Sequence, residues 1–253
     1  MIWLSSEVLR WTTYRGQSNL DDTDQWQRPY KMWNHAEELL SKSSSDFTRT
    51  DAITTLRRAV DRRIKHLATI YDFKRLPIPG KPQDILGILG FIGLVRPLML
   101  GKLIEIRNLV EHEDASPPDY DEAIVFLEFV WYFLRSTDML VREMPESIEL
   151  LSPDDDAYSI EATIRESNAW VFRFLAWVPA QIVACTQIEG WLAIKTNRFS
   201  TRAELFALHP DWVDDPTVDN SRGRYPEDIF LQGEVRGPAE SLKVLIGKYL
   251  QLT

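Results

Sequence analysis

Apolar residues recur at helical steps through most of the first 140 positions and tend to alternate over the last hundred. The clearest helix is drawn by Ile53, Leu56, Val60, Ile64, Leu67 and Tyr71, a continuous stripe, with Arg57, Arg58, Asp61, Arg62 and Lys65 on the other faces. Thr48 or Thr50 can cap it. Before it, Tyr30, Trp33, Ala36, Leu39 and Leu40 predict a helix with Pro29 in its first turn. After it, LPIPGKP (76–82) reads as a stiff linker that no helix crosses. Asp84 can then cap a short apolar helix to about Gly93. Met99, Leu103, Ile106 and Val110, at steps of four, three and four, predict another over 96–112. A further helix is expected from about Tyr120 to Val141. From Ala123 to Leu134 it is apolar nearly all round apart from Glu128, which predicts burial on more than one side, as a central helix or a subunit interface. In the first 27 residues, Trp3, Leu4, Val8, Leu9 and Trp11 fit a short helix packed on the body, and Arg15 to Gln27 is polar and turn-rich.

The period changes near Ser152. Pro153 to Asp156 reads as a linker, and strands are expected at Tyr158–Ile164 and Trp170–Val178. Ile182–Thr186 and Trp191–Thr196 look like a pair joined across QIEG. Thr201 and Glu204 have capping-box spacing for a short helix closed by His209-Pro210. Asp211 to Glu227 reads as a long polar loop, Ile229, Leu231, Gly233 and Val235 as a strand, and Pro238 opens a final helix. The predicted class is α+β: an all-α bundle within residues 1–150, its core at 46–142, followed by a smaller β-rich domain, 155–253, closed by a terminal helix.

Composition narrows the chemistry. With 44% hydrophobic and 26% charged residues in 253, the chain has the balance of an ordinary globular protein. Its single cysteine, Cys185, excludes an internal disulfide framework and a cysteine-based zinc cage. The four histidines, His35, His66, His112 and His209, are scattered without HExxH spacing, so no metal and no cofactor are expected. No phosphate-binding glycine loop, GxSxG or dinucleotide fingerprint appears. Met1 to Ser6 lacks the basic start of a signal peptide, and the longest apolar run, Ile85 to Val95, is eleven residues, too short for a bilayer. A cytoplasmic location without membrane partners is expected.

The net charge of −9 is unevenly spread. Asp46 to His112 holds twelve bases against seven acids, whereas Glu113 to Glu161 holds fourteen acids against Arg135 and Arg142. Such asymmetry can focus a polyanion on one side of a fold, and it equally describes a solvated face beside an acidic loop. Within the basic part lies RPLMLGKLIEIRNLVEHED (96–114). Opposite its apolar stripe stand Gly101, Glu105, Asn108 and His112, with Arg107 about 100° of helix rotation from Asn108. An imidazole titrating near neutrality, a fixed cation and an amide at one helix end can handle a phosphodiester. Alternatively Arg107 pairs with Glu111 at i,i+4 and His112 caps a solvated helix end. Asp154 to Asp156 can chelate magnesium or stay solvated. Trp170, Trp177 and Trp191 can stack bases or pack a core.

Three stretches resemble the HEPN superfamily of helical domains: the basic amphipathic TDAITTLRRAVDRRIKHLATIY, then RNLVEH, then the apolar DYDEAIVFLEFVWYFLRST. RNLVEH matches the family's arginine, polar residue, short spacer and histidine, and the resemblance covers roughly residues 46–142. It implies a bundle that dimerises so that two such segments share one groove, and a metal-independent endoribonuclease of the toxin or antiviral-defence kind. By the resemblance, His112 is the acid or base toward the ribose 2′-hydroxyl, Arg107 steadies the phosphate, and Asn108 orients one or the other. Arg58, Arg62, Lys65 and Lys102 would hold the RNA backbone, and an antitoxin or regulatory protein is a further partner. Some members carry a tyrosine two residues after the histidine, where this chain has Asp114. Glu111 and Glu113 beside His112 should favour its protonated form. Other members only bind, so a non-catalytic HEPN-like module for protein or nucleic acid is the alternative.

Overall fold

A computed structural model describes residues 1–19, 23–42, 45–95, 98, 101–102, 105, 116–154, 157–164, 170–210 and 223–250. The chain forms an α+β protein of two compact units. One is helical, Asn19–Lys74 with Lys81–Met144; the other is β-rich, Met1–Ser18 with Arg75–Gly80 and Pro145–Thr253.

In the helical unit, α1 (Thr23–Lys42) and α2 (Asp46–Tyr71) lie against each other, and α4 (Tyr120–Ser136) packs on both. α3 (Ile85–Phe91) and α5 (Asp138–Arg142) are short. α1 begins well before the expected start, so Pro29 sits inside it instead of opening it. α2 is capped by Ser45, whose hydroxyl accepts from the Thr48 N–H at 3.2 Å, not by Thr48 or Thr50. It ends where Asp72 turns left-handed at φ 40°, a conformation that aspartate tolerates better than most side chains. Asp84 caps α3 by accepting from the Gly87 N–H at 2.7 Å, and Asp119 caps α4 through the Glu122 N–H at 2.8 Å.

The β-rich unit is one eight-stranded sheet in the order β2-β3-β4-β5-β8-β7-β1-β6. Its strands are β1 (Ile2–Leu4), β2 (Thr12–Asn19), β3 (Glu143–Leu151), β4 (Ser159–Ile164), β5 (Phe172–Val178), β6 (Val183–Ala184), β7 (Leu192–Thr201) and β8 (Ile229–Val235). The sheet therefore takes two strands from the N-terminus, where a helix and a polar turn were expected; only Ser6–Arg10 between them is helical, a 3-10 turn. The β-rich unit is interrupted by the helical one instead of simply following it. Ile182–Thr186 and Trp191–Thr196 do not form a hairpin: β1 lies between β6 and β7 and pairs antiparallel with both. The expected linker is not bare, since Leu76 and Ile78 are buried and its first part belongs to the β-rich unit.

The inner face of the sheet carries Ile148, Leu150, Ile160, Ala162, Phe172, Phe174, Leu231 and Ile194, all buried. The terminal helix α7 (Ala239–Tyr249) covers it, with the Tyr249 ring edge-on to Trp170 and Phe172 at 6.0 and 6.1 Å. The same helix end holds the N-terminal strand. Lys248 Nζ donates to Thr13 Oγ1 at 2.8 Å, Arg15 donates to the Tyr249 carbonyl, and Tyr249 Oη donates to the Pro145 carbonyl at 2.7 Å. At Gly233 a Cβ would stand 2.6 Å from the Lys195 carbonyl, next to the bulge between Thr196 and Arg198. The short helix α6 (Arg202–Leu208) has the expected capping box: the Thr201 hydroxyl accepts from the Glu204 N–H at 3.1 Å and the Glu204 carboxylate from the Thr201 N–H at 2.9 Å.

Candidate functional site

The basic helix is α2. Arg58, Arg62 and Lys65 are exposed and fall within about 60° of helix rotation, so they share one face. No ion pair to these three exists among the described residues. Three cations on one helix face, beside an Asp61 that pairs with Arg57 at 3.4 Å, present a basic strip to a polyanion. Lys102 is likewise exposed at a helical position, as are Gly101 and Glu105. Nothing described brings Lys102 together with the α2 strip. Arg107, Asn108 and His112 lie outside the described residues, as do Glu111 and Asp114.

Arg63 behaves differently from its neighbours. Its side chain is 0% exposed, although it follows the exposed Arg62 directly in sequence. It occupies the apolar stripe where the pattern placed Ile64, which is only half-buried. The guanidinium Nη1 donates to the Leu134 carbonyl at 3.1 Å, to Thr137 Oγ1 at 3.0 Å and to Asp138 Oδ1 at 3.0 Å. Nη2 donates to the same Asp138 oxygen at 3.0 Å and to the Trp26 carbonyl at 3.3 Å. Tyr30 Oη donates to the other Asp138 oxygen at 2.8 Å, and the guanidinium lies 5.7 Å from the Tyr30 ring centre. Burial pushes the Tyr30 phenol up to about 12, with its bond to Asp138 acting in the same direction. Burial lowers the Arg63 pKa, opposed by the Asp138 carboxylate. One cation and one carboxylate thus tie α1, α2 and the α4–α5 junction together. Arg63 is a structural clamp, and its charge is not available to a ligand. The only sequence signal was an arginine at an apolar-stripe position, three residues after Val60 and four before Leu67.

The β-rich unit contains a cleft of about 710 Å³. Trp11, Tyr158, Trp191 and Tyr225 line it, together with Glu7, Arg10 and Asp154. Two of its lining residues are held by buried Asp228, which accepts from Tyr158 Oη at 3.0 Å and from the Tyr225 N–H at 2.8 Å, as well as from the Arg224 N–H at 2.6 Å. Of the three tryptophans that could stack a base, Trp170 and Trp177 are buried in the core, and Trp191 is half-buried at the cleft. Asp154 is exposed, while Asp155 and Asp156 lie outside the described residues. Among the described residues no group of three or more histidine, cysteine or acidic side chains is placed to hold a metal ion. No helix among them is long and apolar enough to cross a membrane.

Comparison with protein-family models, with curated proteins and with solved structures found no match for this chain.

Proposed function

We propose that the helical unit is a HEPN-like, metal-independent endoribonuclease that cuts RNA by attack of the ribose 2′-hydroxyl, working as a homodimer. The observation that carries the reading is the conjunction of RNLVEH with an exposed basic strip on the preceding helix α2. In this scheme His112 moves the proton of the 2′-hydroxyl or of the leaving 5′-oxygen, and Arg107 faces the charge that builds on the phosphorus oxygens. Asn108 orients the phosphate or the imidazole. Arg58, Arg62, Lys65 and Lys102 bind the backbone and carry no sequence preference. The nucleophile belongs to the substrate, so DNA is left intact. In this reading the β-rich unit recruits a target or a regulatory protein, such as an antitoxin.

The purified chain is expected to cut RNA in EDTA and to spare DNA of the same sequence. Cleavage that needs magnesium, or that consumes DNA equally, rejects this chemistry. Changing Arg58, Arg62 and Lys65 together to glutamate should weaken RNA binding uniformly across sequences and flatten the dependence of log Kd on log salt by about two to three units, measured by fluorescence anisotropy. An unchanged salt slope would remove the α2 strip from the interface.

A further inference from the structure

The helix α4 is apolar nearly all round between Ala123 and Leu134, yet the bundle uses one side of it. Ala123, Phe126, Leu127, Val130, Phe133 and Leu134 are buried. On the other side Val125 is 55% and Tyr132 63% exposed, and Met139, just past the Thr137 break, is 45% exposed. Apolar side chains left open along one line of a helix mark a surface that something else covers.

That line has an internal symmetry. Val125, Glu128, Tyr132 and Arg135 follow steps of three, four and three, so they form one stripe on α4, and Met139 is exposed on α5 just beyond the Thr137 turn. Along it the order is apolar, acid, aromatic, base, apolar. Laid antiparallel on itself with Tyr132 at the centre, the stripe places Glu128 opposite the partner's Arg135, and Val125 opposite the partner's Met139. Each of these two contacts then occurs twice, as a twofold axis requires. The central group is already assembled. The Trp131 and Tyr132 rings meet edge to face at 5.1 Å, and the Arg135 guanidinium lies 5.5 Å from the Trp131 ring centre. Tryptophan, tyrosine and arginine are the residue types that dominate interface hot spots.

We propose that this stripe is the seat of a second copy of the chain, joined by an antiparallel twofold contact of α4 on α4. The proposal deepens the dimeric reading above and rests on it for what the dimer does, while the association itself is read independently of RNA cleavage. Sedimentation equilibrium on the full chain tests it. The unaltered protein should be dimeric at about 100 µM, and Tyr132→Glu should weaken the dimer about tenfold or more. Val125→Glu and Met139→Lys should each weaken it alone, while the two changes together restore it, because the new acid of each copy then meets the new base of the other. All three positions are exposed, so circular dichroism and the thermal midpoint should be unchanged. A monomer at that concentration, an unaffected dimer in Tyr132→Glu, or a double variant no better than the single ones overturns the proposal. A dimer that responds as stated but cuts no RNA upholds the interface and rejects the nuclease.

Discussion

Replacing Arg63 by alanine is expected to lower the unfolding free energy of the helical unit by about 3–5 kcal/mol, the cost of leaving a buried charge without its partner. Asp138 would keep its hydrogen bond from Tyr30 and its 3.7 Å contact with Arg135, but it would lose the two guanidinium bonds at 3.0 Å. Asp138→Ala should cost a similar amount, because Arg63 would then be enclosed with only neutral acceptors. The double variant should lose clearly less than the sum of the two, since each single change already breaks the same contact. Arg58→Ala, on the exposed face of the same helix, should stay within about 0.5 kcal/mol. Urea titration of the four variants measures all of this. A loss below about 1 kcal/mol for Arg63→Ala would mean that the clamp does not hold the three helices together.

Substituting His112 by alanine is expected to slow RNA cleavage by about 10²–10⁴-fold, the ordinary contribution of a positioned proton-transfer group. Arg107→Ala should slow it by about 10²–10³-fold, as removal of a group facing developing charge does elsewhere. The thermal midpoints of both variants, measured alongside, separate a chemical loss from a failure to fold. In sequence His112 is flanked by Glu111 and Glu113, so in this scheme it takes the role of acid toward the leaving 5′-oxygen. Expression in a bacterial host adds a second readout: toxicity of the unaltered chain should vanish in both variants. Cleavage that persists in His112→Ala assigns the chemistry to other residues.

What the sequence discloses depends on how local the responsible contacts are. The helices α2, α3, α4 and α6 are legible because apolar spacing and capping side chains such as Asp84 and Thr201 act within a few residues. The strand β2 is not legible. TTYRGQSN is polar throughout, and it is held by groups such as Tyr249, 234 residues from Arg15. In β3 the alternating signal consists of little more than Ile148 and Leu150, which an acidic surround conceals. β6 and β7 look like a hairpin because they are neighbours in sequence, and nothing local reveals that β1 enters between them. Arg63 is absent from the predicted stripe because its charge conceals its position, although its spacing from Val60 and Leu67 places it on the buried side. For α4 the composition predicts burial on more than one side; among the described residues one side is buried, and Val125 and Tyr132 on the other are exposed. Arg58, Arg62 and Lys65 were legible as a strip because exposure is the default for charged side chains at i, i+4 and i+7.

Attack by a 2′-hydroxyl on the adjacent phosphorus forms a new O–P bond to that ribose and breaks the P–O bond to the next nucleotide's 5′-oxygen, which takes up a proton. The ends of the products therefore report the mechanism directly. Mass spectrometry of a short RNA cut in EDTA by the unaltered protein should show a 2′,3′-cyclic phosphate on one fragment and a free 5′-hydroxyl on the other. Fragments carrying a 5′-phosphate and a 3′-hydroxyl would contradict the account.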